Sequence, residues 1–149
     1  MKGLFDTLRL LVISPESLVA VLPAAVHSIW PTWLEALEKS MRDSLAMGLS
    51  AAGICVAALA FIYKEGDSIL DPKAGRGMLL DWPDYPMLKR RVVAALTWGV
   101  IGIGAALVAT WMVASGARPQ VAPSVLVAGV LVSAAAAATV ALARYRVRE

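Results

Sequence analysis

Residues 45–63, 92–114 and 121–143 contain no Asp, Glu, Lys, Arg or His. Each tract is about 20 residues long, enough as an α-helix to cover the roughly 30 Å hydrocarbon core of a bilayer. A soluble chain of 149 residues has no core deep enough to hide three helices that lack charge on every face. Composition agrees: 59% of the residues are hydrophobic and 17% charged, against about 45–50% and about 25% in ordinary soluble domains. The chain is therefore read as an all-α, polytopic membrane protein with three transmembrane helices at 45–63, 92–114 and 121–143.

The first 44 residues are harder to place. In "MKGLFDTLRLLVI" the residues Leu4, Leu8 and Leu11 share one helical face with Phe5 and Val12, opposite Asp6 and Arg9, the pattern of an interfacial helix. No small-residue cleavage site follows, so this is not read as a secretory leader. Ser14 then offers an N-cap and Pro15 a first helical residue. A helix is expected to run from there towards Trp30 and to stop at Pro31. Its apolar part, 17–34, is a marginal fourth membrane segment, less hydrophobic than the three tracts. Thr32 and Glu35 have capping-box spacing. They predict a new amphipathic helix, with Leu34, Leu37, Met41 and Leu45 against Glu35, Glu38, Lys39, Arg42 and Asp43, that can continue into the first tract.

Residues 64–91 form the one long polar segment. It is rich in Gly, Pro and Asp and reads as turns and short irregular pieces. "SGARPQ" at 115–120 is a tight turn that makes the last two tracts an antiparallel hairpin, and 144–149 is a short cationic tail.

Cationic flanks stay on the cytoplasmic side. With three spans, the 64–91 loop and the tail carry nine of the 14 Lys and Arg residues; with a fourth span they share a side with the N-terminus and carry eleven. Both topologies place 64–91 and the C-terminus in the cytoplasm of an inner (plasma) membrane, with 115–120 outside. They differ only in the side of Met1. Tyr63, Tyr145, Trp111, Trp30 and Trp33 fall where aromatic residues meet headgroups. Trp98 lies deeper and is expected to pack against a neighbouring helix.

Helices associate closely in lipid through small residues. The first tract offers Gly48 and Ala52, the second Gly99, Gly102 and Ala106, and the third Gly129, Ser133 and Ala137. These residues are read as the helix-packing surface, used within one chain or between copies.

Sites with chemistry are few. His27 is the only histidine and has no Cys or carboxylate three or four residues away, so no metal site is read there. Histidine chemistry would permit pH sensing, but no neighbour in sequence supports it. Glu65, Asp67, Asp71, Asp81 and Asp84 lack calcium-loop spacing and read as solvated loop charge. "PKAGRG" at 72–77 is too short for a phosphate loop, and Lys73 and Arg76 suit headgroup contact. In "LLDWPDYPMLKRR" the residues Trp82, Tyr85, Lys89, Arg90 and Arg91 read as an interfacial elbow meeting anionic lipid, or as a docking surface for a cytoplasmic partner. Cys55 is a small packing residue. The tracts hold no ionisable group of the kind that coupled transporters and intramembrane hydrolases keep at depth.

No cofactor, metal or nucleic-acid partner is expected, and no enzymatic activity. The expected partners are the bilayer, further copies of the chain or other membrane subunits, and a cytoplasmic protein at 64–91. Two functions fit. The chain self-associates into a pore-forming or membrane-perturbing module, as phage-lysis or anti-phage-defence effectors do, or it is a non-catalytic anchoring subunit of a larger membrane complex.

Overall fold

In a computed structural model of the chain, each uncharged tract forms most of a helix that extends past it at one end or both. The structure describes residues 14–29, 32–70, 85–118 and 120–148. In order, the helices among them are α1 (Pro15–Ile29), α2 (Thr32–Asp43), α3 (Ala46–Leu70), α4 (Tyr85–Ser115) and α5 (Ala122–Arg148). α3, α4 and α5 are long and apolar enough to cross a membrane. The all-α membrane fold with three spans is as the sequence predicts. The interfacial helix read at the N-terminus lies outside the described residues.

The spans overshoot the uncharged tracts. α3 continues through 64–70 and α4 begins at Tyr85, so both ends of the segment read as irregular are helical. Lipid does not demand that a helix stop at its first charge, only that charged groups reach water or a partner. Lys64 and Asp67 are exposed, and Glu65 finds a partner inside the bundle. The 31 residues of α4 make a helix of about 46 Å, long enough to reach well past the hydrocarbon on its cationic side.

Two apolar clusters fix the register. Cys55, Ala51 and Ala52 of α3 meet Ala106 and Ala109 of α4 and Ala122 and Leu126 of α5. Ile62 and Ile69 of α3 meet Ala95 of α4 and Ala136 and Val140 of α5. Neighbouring spans are thus antiparallel. One end of the bundle, the tail end, holds Leu70, Tyr85 and Arg148; the other, the turn end, holds the connection between α4 and α5. In that connection Gly116 takes a left-handed φ of 70°, which glycine adopts without steric cost at a helix C-terminus, and its N–H donates to the Val113 carbonyl at 3.2 Å.

α1 begins where Ser14 caps it. The Ser17 N–H donates to Ser14 Oγ at 3.3 Å and the Ser17 hydroxyl donates to the Ser14 carbonyl at 2.7 Å. α1 packs chiefly on α5, with Pro23 fully buried. It starts beside Thr139 and ends near Gln120, so it runs from the tail end to the turn end. Its 15 residues extend about 22 Å, most of the way across a bilayer core.

α2 starts at Thr32, as the capping-box spacing predicts, and its axis lies at 104° to that of α1. It does not run on into the first span. The chain breaks at Ser44 and Leu45, where the Met47 N–H donates to the Ser44 carbonyl at 3.2 Å. The break has a packing cause: Leu34 and Met41 are buried at the turn end, while Glu35, Lys39 and Arg42 face outward. A helix lying across the bundle end satisfies both faces.

Candidate functional site

The small residues lie between helices of the same chain. A Cβ built on Gly102 would lie 2.7 Å from the Gly129 carbonyl oxygen and would meet the Ser133 hydroxyl; one on Gly129 would lie 2.7 Å from the Gly102 carbonyl oxygen. α4 and α5 therefore touch backbone to backbone, the approach that glycine permits. Gly48 faces Thr110, and Gly99 faces Leu59 and Ile62. Ala52 and Ala106 are buried in the turn-end cluster. Ala137 packs against the tail-end cluster, as does Trp98. Each residue read as a packing residue faces, or lies buried against, another helix of the same chain.

Four of the five residues read as a docking surface lie in the first two turns of α4. Trp82 lies outside the described residues, as do Asp71, Lys73, Arg76, Asp81 and Asp84. Tyr85 opens α4, and Lys89 and Arg91 are exposed while Arg90 is half-buried. Glu65, expected as solvated loop charge, is instead buried, and the Arg144 guanidinium donates to its carboxylate. The correction has a simple cause. The helical extension of α3 turns Glu65 towards α5, where the cationic tail supplies a guanidinium.

The polar arrangement that sequence reading passes over lies one turn deeper at the tail end. Glu16, in the first turn of α1, is 4% exposed. The Thr139 hydroxyl of α5 donates to its Oε1 at 2.7 Å, and that hydroxyl also lies 3.0 Å from the Ala135 carbonyl oxygen. A hydroxyl has one proton to give, so Glu16 shares its donor. A cavity of about 150 Å³ opens beside the carboxylate, lined by Ser14, Glu16 and Thr139, by Ala94 and Ala95, and by Arg91. Arg91 forms no ion pair among the described residues. The one hint in sequence is that Glu16 is the last carboxylate before the apolar run of the marginal segment; its partner is too far along the chain to infer.

A second cavity, of about 390 Å³, lies at the turn end between His27, Leu34, Glu35, Glu38 and Gln120. Glu38 Oε1 accepts from Arg42 Nε at 3.0 Å and Nη2 at 2.6 Å. His27 Nδ1 is buried without a hydrogen-bond partner among the described residues. The histidine that looks isolated in sequence thus lines a cavity with two glutamates, although among the described residues no three metal-ligating side chains converge. No protein-family model, no curated protein sequence and no solved structure matches the chain.

Proposed function

We propose that the protein is a non-catalytic anchoring or accessory subunit, a compact bundle that embeds a larger assembly in the inner membrane. The observation that carries this reading is the use of the small residues. A self-associating pore needs a helix face free for a second copy and a polar surface to line its lumen. The Gly102, Gly129, Gly48 and Gly99 faces are turned inward, while the outside presents Leu49, Ile54, Val56, Phe61, Val100, Leu107, Val108 and Leu131 to lipid. Of the hydroxyl groups that are exposed, that of Thr97 is satisfied by the Val93 carbonyl of its own helix at 3.0 Å. A surface of this kind suits a lipid-facing or subunit-facing wall better than a water-filled channel.

In this reading α1 crosses the membrane with the three longer helices. The chain then enters α1 at the tail end, and Lys2 and Arg9 join the nine cations of 64–91 and the tail on the cytoplasmic side, eleven of the 14 in all. Partners meet the bundle through its apolar outer faces and, at the cytoplasmic end, through the cationic start of α4.

Size and leakage measured together test the reading. In mild detergent the protein should run as one 15.7 kDa chain per particle, and dye-loaded vesicles should stay sealed after reconstitution. Photo-crosslinkers at Leu107 and Leu131 should capture the same heterologous membrane chain in cells. A homo-oligomer of fixed size that releases dye would replace this reading with the pore or membrane-perturbing module.

A further inference from the structure

We propose that the tail-end cavity between α1, α4 and α5 binds the headgroup of a phosphatidylethanolamine molecule, its primary ammonium on Glu16 and its phosphate on Arg91. The argument begins with charge. Glu16 is a carboxylate nine-tenths buried, and its one hydrogen-bonding side chain is a neutral hydroxyl whose proton is shared with a backbone carbonyl. Burying a carboxylate with so little compensation is costly, and a cation that donates hydrogen bonds removes most of that cost. Among the described residues no cation of the chain pairs with it. Arg91 lines the same cavity with a guanidinium also free of ion pairs among those residues, and its fork of donors suits a phosphate. A single small group that carries both charges satisfies both walls.

Size and depth agree with that occupant. Protein cavities of about 150 Å³ accept guests the size of benzene, and this one has that volume. Thr139 lies five residues, about 7.5 Å along α5, below Arg144. The carboxylate therefore sits just beneath the cationic collar, at the level of headgroups rather than in the bilayer centre. The source is a lipid rather than soluble phosphoethanolamine because α1 continues away from the cavity with Leu18, Val21 and Leu22 exposed, Leu18 by 76%. They give acyl chains a surface beside the polar site.

The chemistry sets a selectivity. A primary ammonium donates up to three hydrogen bonds, whereas the quaternary ammonium of phosphatidylcholine has none to donate. An anionic lipid such as phosphatidylglycerol would meet Arg91 favourably and Glu16 unfavourably.

Native mass spectrometry of the full chain in detergent tests this, with phosphatidylethanolamine and phosphatidylcholine of identical acyl chains offered at equal concentration. The wild-type protein should retain the ethanolamine lipid by about tenfold, the ratio expected of one charge-assisted hydrogen-bonded contact. Glu16→Gln should bring that ratio near unity and raise phosphatidylglycerol binding. Arg91→Gln, a change at an exposed side chain that leaves the packing intact, should weaken the ethanolamine lipid and phosphatidylglycerol alike, while Lys89→Gln should leave the ratio at its wild-type value. Equal retention of the two zwitterionic lipids by wild type, or an unchanged preference in a folded Glu16→Gln variant, would overturn the site. Displacement of the lipid by equimolar free phosphoethanolamine would overturn its assignment to lipid.

Discussion

Arg144 on α5 donates to Glu65 on α3 across the tail end of the bundle, and the two partners are unequally buried: 36% of the arginine side chain is exposed but only 10% of the glutamate. The inequality makes their deletions unequal. Without Glu65, the guanidinium can extend to water on its long stem. Without Arg144, the carboxylate stays buried and uncompensated. Arg144→Ala should therefore cost about 2–3 kcal/mol of stability and Glu65→Gln about 1 kcal/mol or less. The double variant should recover most of the larger loss. Thermal unfolding in detergent reads all three, and equal losses for the two single variants would show that the pair is not buried as described.

The approach of Gly102 and Gly129 predicts a contrast between glycines that look alike in sequence. Gly129→Ala forces a methyl group against the Gly102 carbonyl oxygen, and overpacking of this kind costs about 1–3 kcal/mol. Gly104 has nothing within 4 Å of its Cβ position, so Gly104→Ala should be neutral or stabilising by about 0.5–1 kcal/mol. Circular dichroism melting of the two variants side by side gives the comparison. A Gly129→Ala protein as stable as wild type would mean that α4 and α5 do not meet there.

Cys55 is completely buried between α3, α4 and α5 and works as a built-in probe of opening. A membrane-permeant maleimide should leave it unmodified in the folded protein and label it fully in a denaturing detergent. In Gly129→Ala the rate should rise in step with the lost stability, because only opened molecules react. Rapid labelling of the folded wild type would contradict the packing of the turn-end cluster.

The start of α1 beside Thr139 predicts the side from which the chain enters α1. In a Cys55→Ala background, Lys2→Cys and Tyr145→Cys should react with an impermeant maleimide from the same side of sealed vesicles, and Ala117→Cys from the opposite side. Lys2→Cys labelled together with Ala117→Cys would leave three spans and remove α1 from the membrane.

Much of the architecture was legible because lipid punishes unpaired charge so heavily. The tracts at 45–63, 92–114 and 121–143 could be little else than spans, and Ser14 and Thr32 announced two helix starts through their capping chemistry. The polar arrangements were not legible, for a physical reason. Glu16 meets a hydroxyl 123 positions away, and Glu65 a guanidinium 79 positions away; neither pairing leaves a local periodicity. Once α3 is seen to remain helical beyond Tyr63, Glu65 has a definite face, which a residue assigned to a loop does not. Gly99 and Gly129 were recognised as packing residues from their type alone, but which helix each would meet depends on register, and register is set by the whole bundle.

The dependence of α1 on α5 bears on how the chain is made. α1 is translated before the wall it packs against. Until that wall is complete, Glu16 has no Thr139 and Pro23 has no surface to lie on, so the native contacts of α1 cannot form before α5 is in place. Docking of α1 is therefore tied to the most distant helix in the described chain, and truncating the chain before α5 should leave α1 without its packing surface.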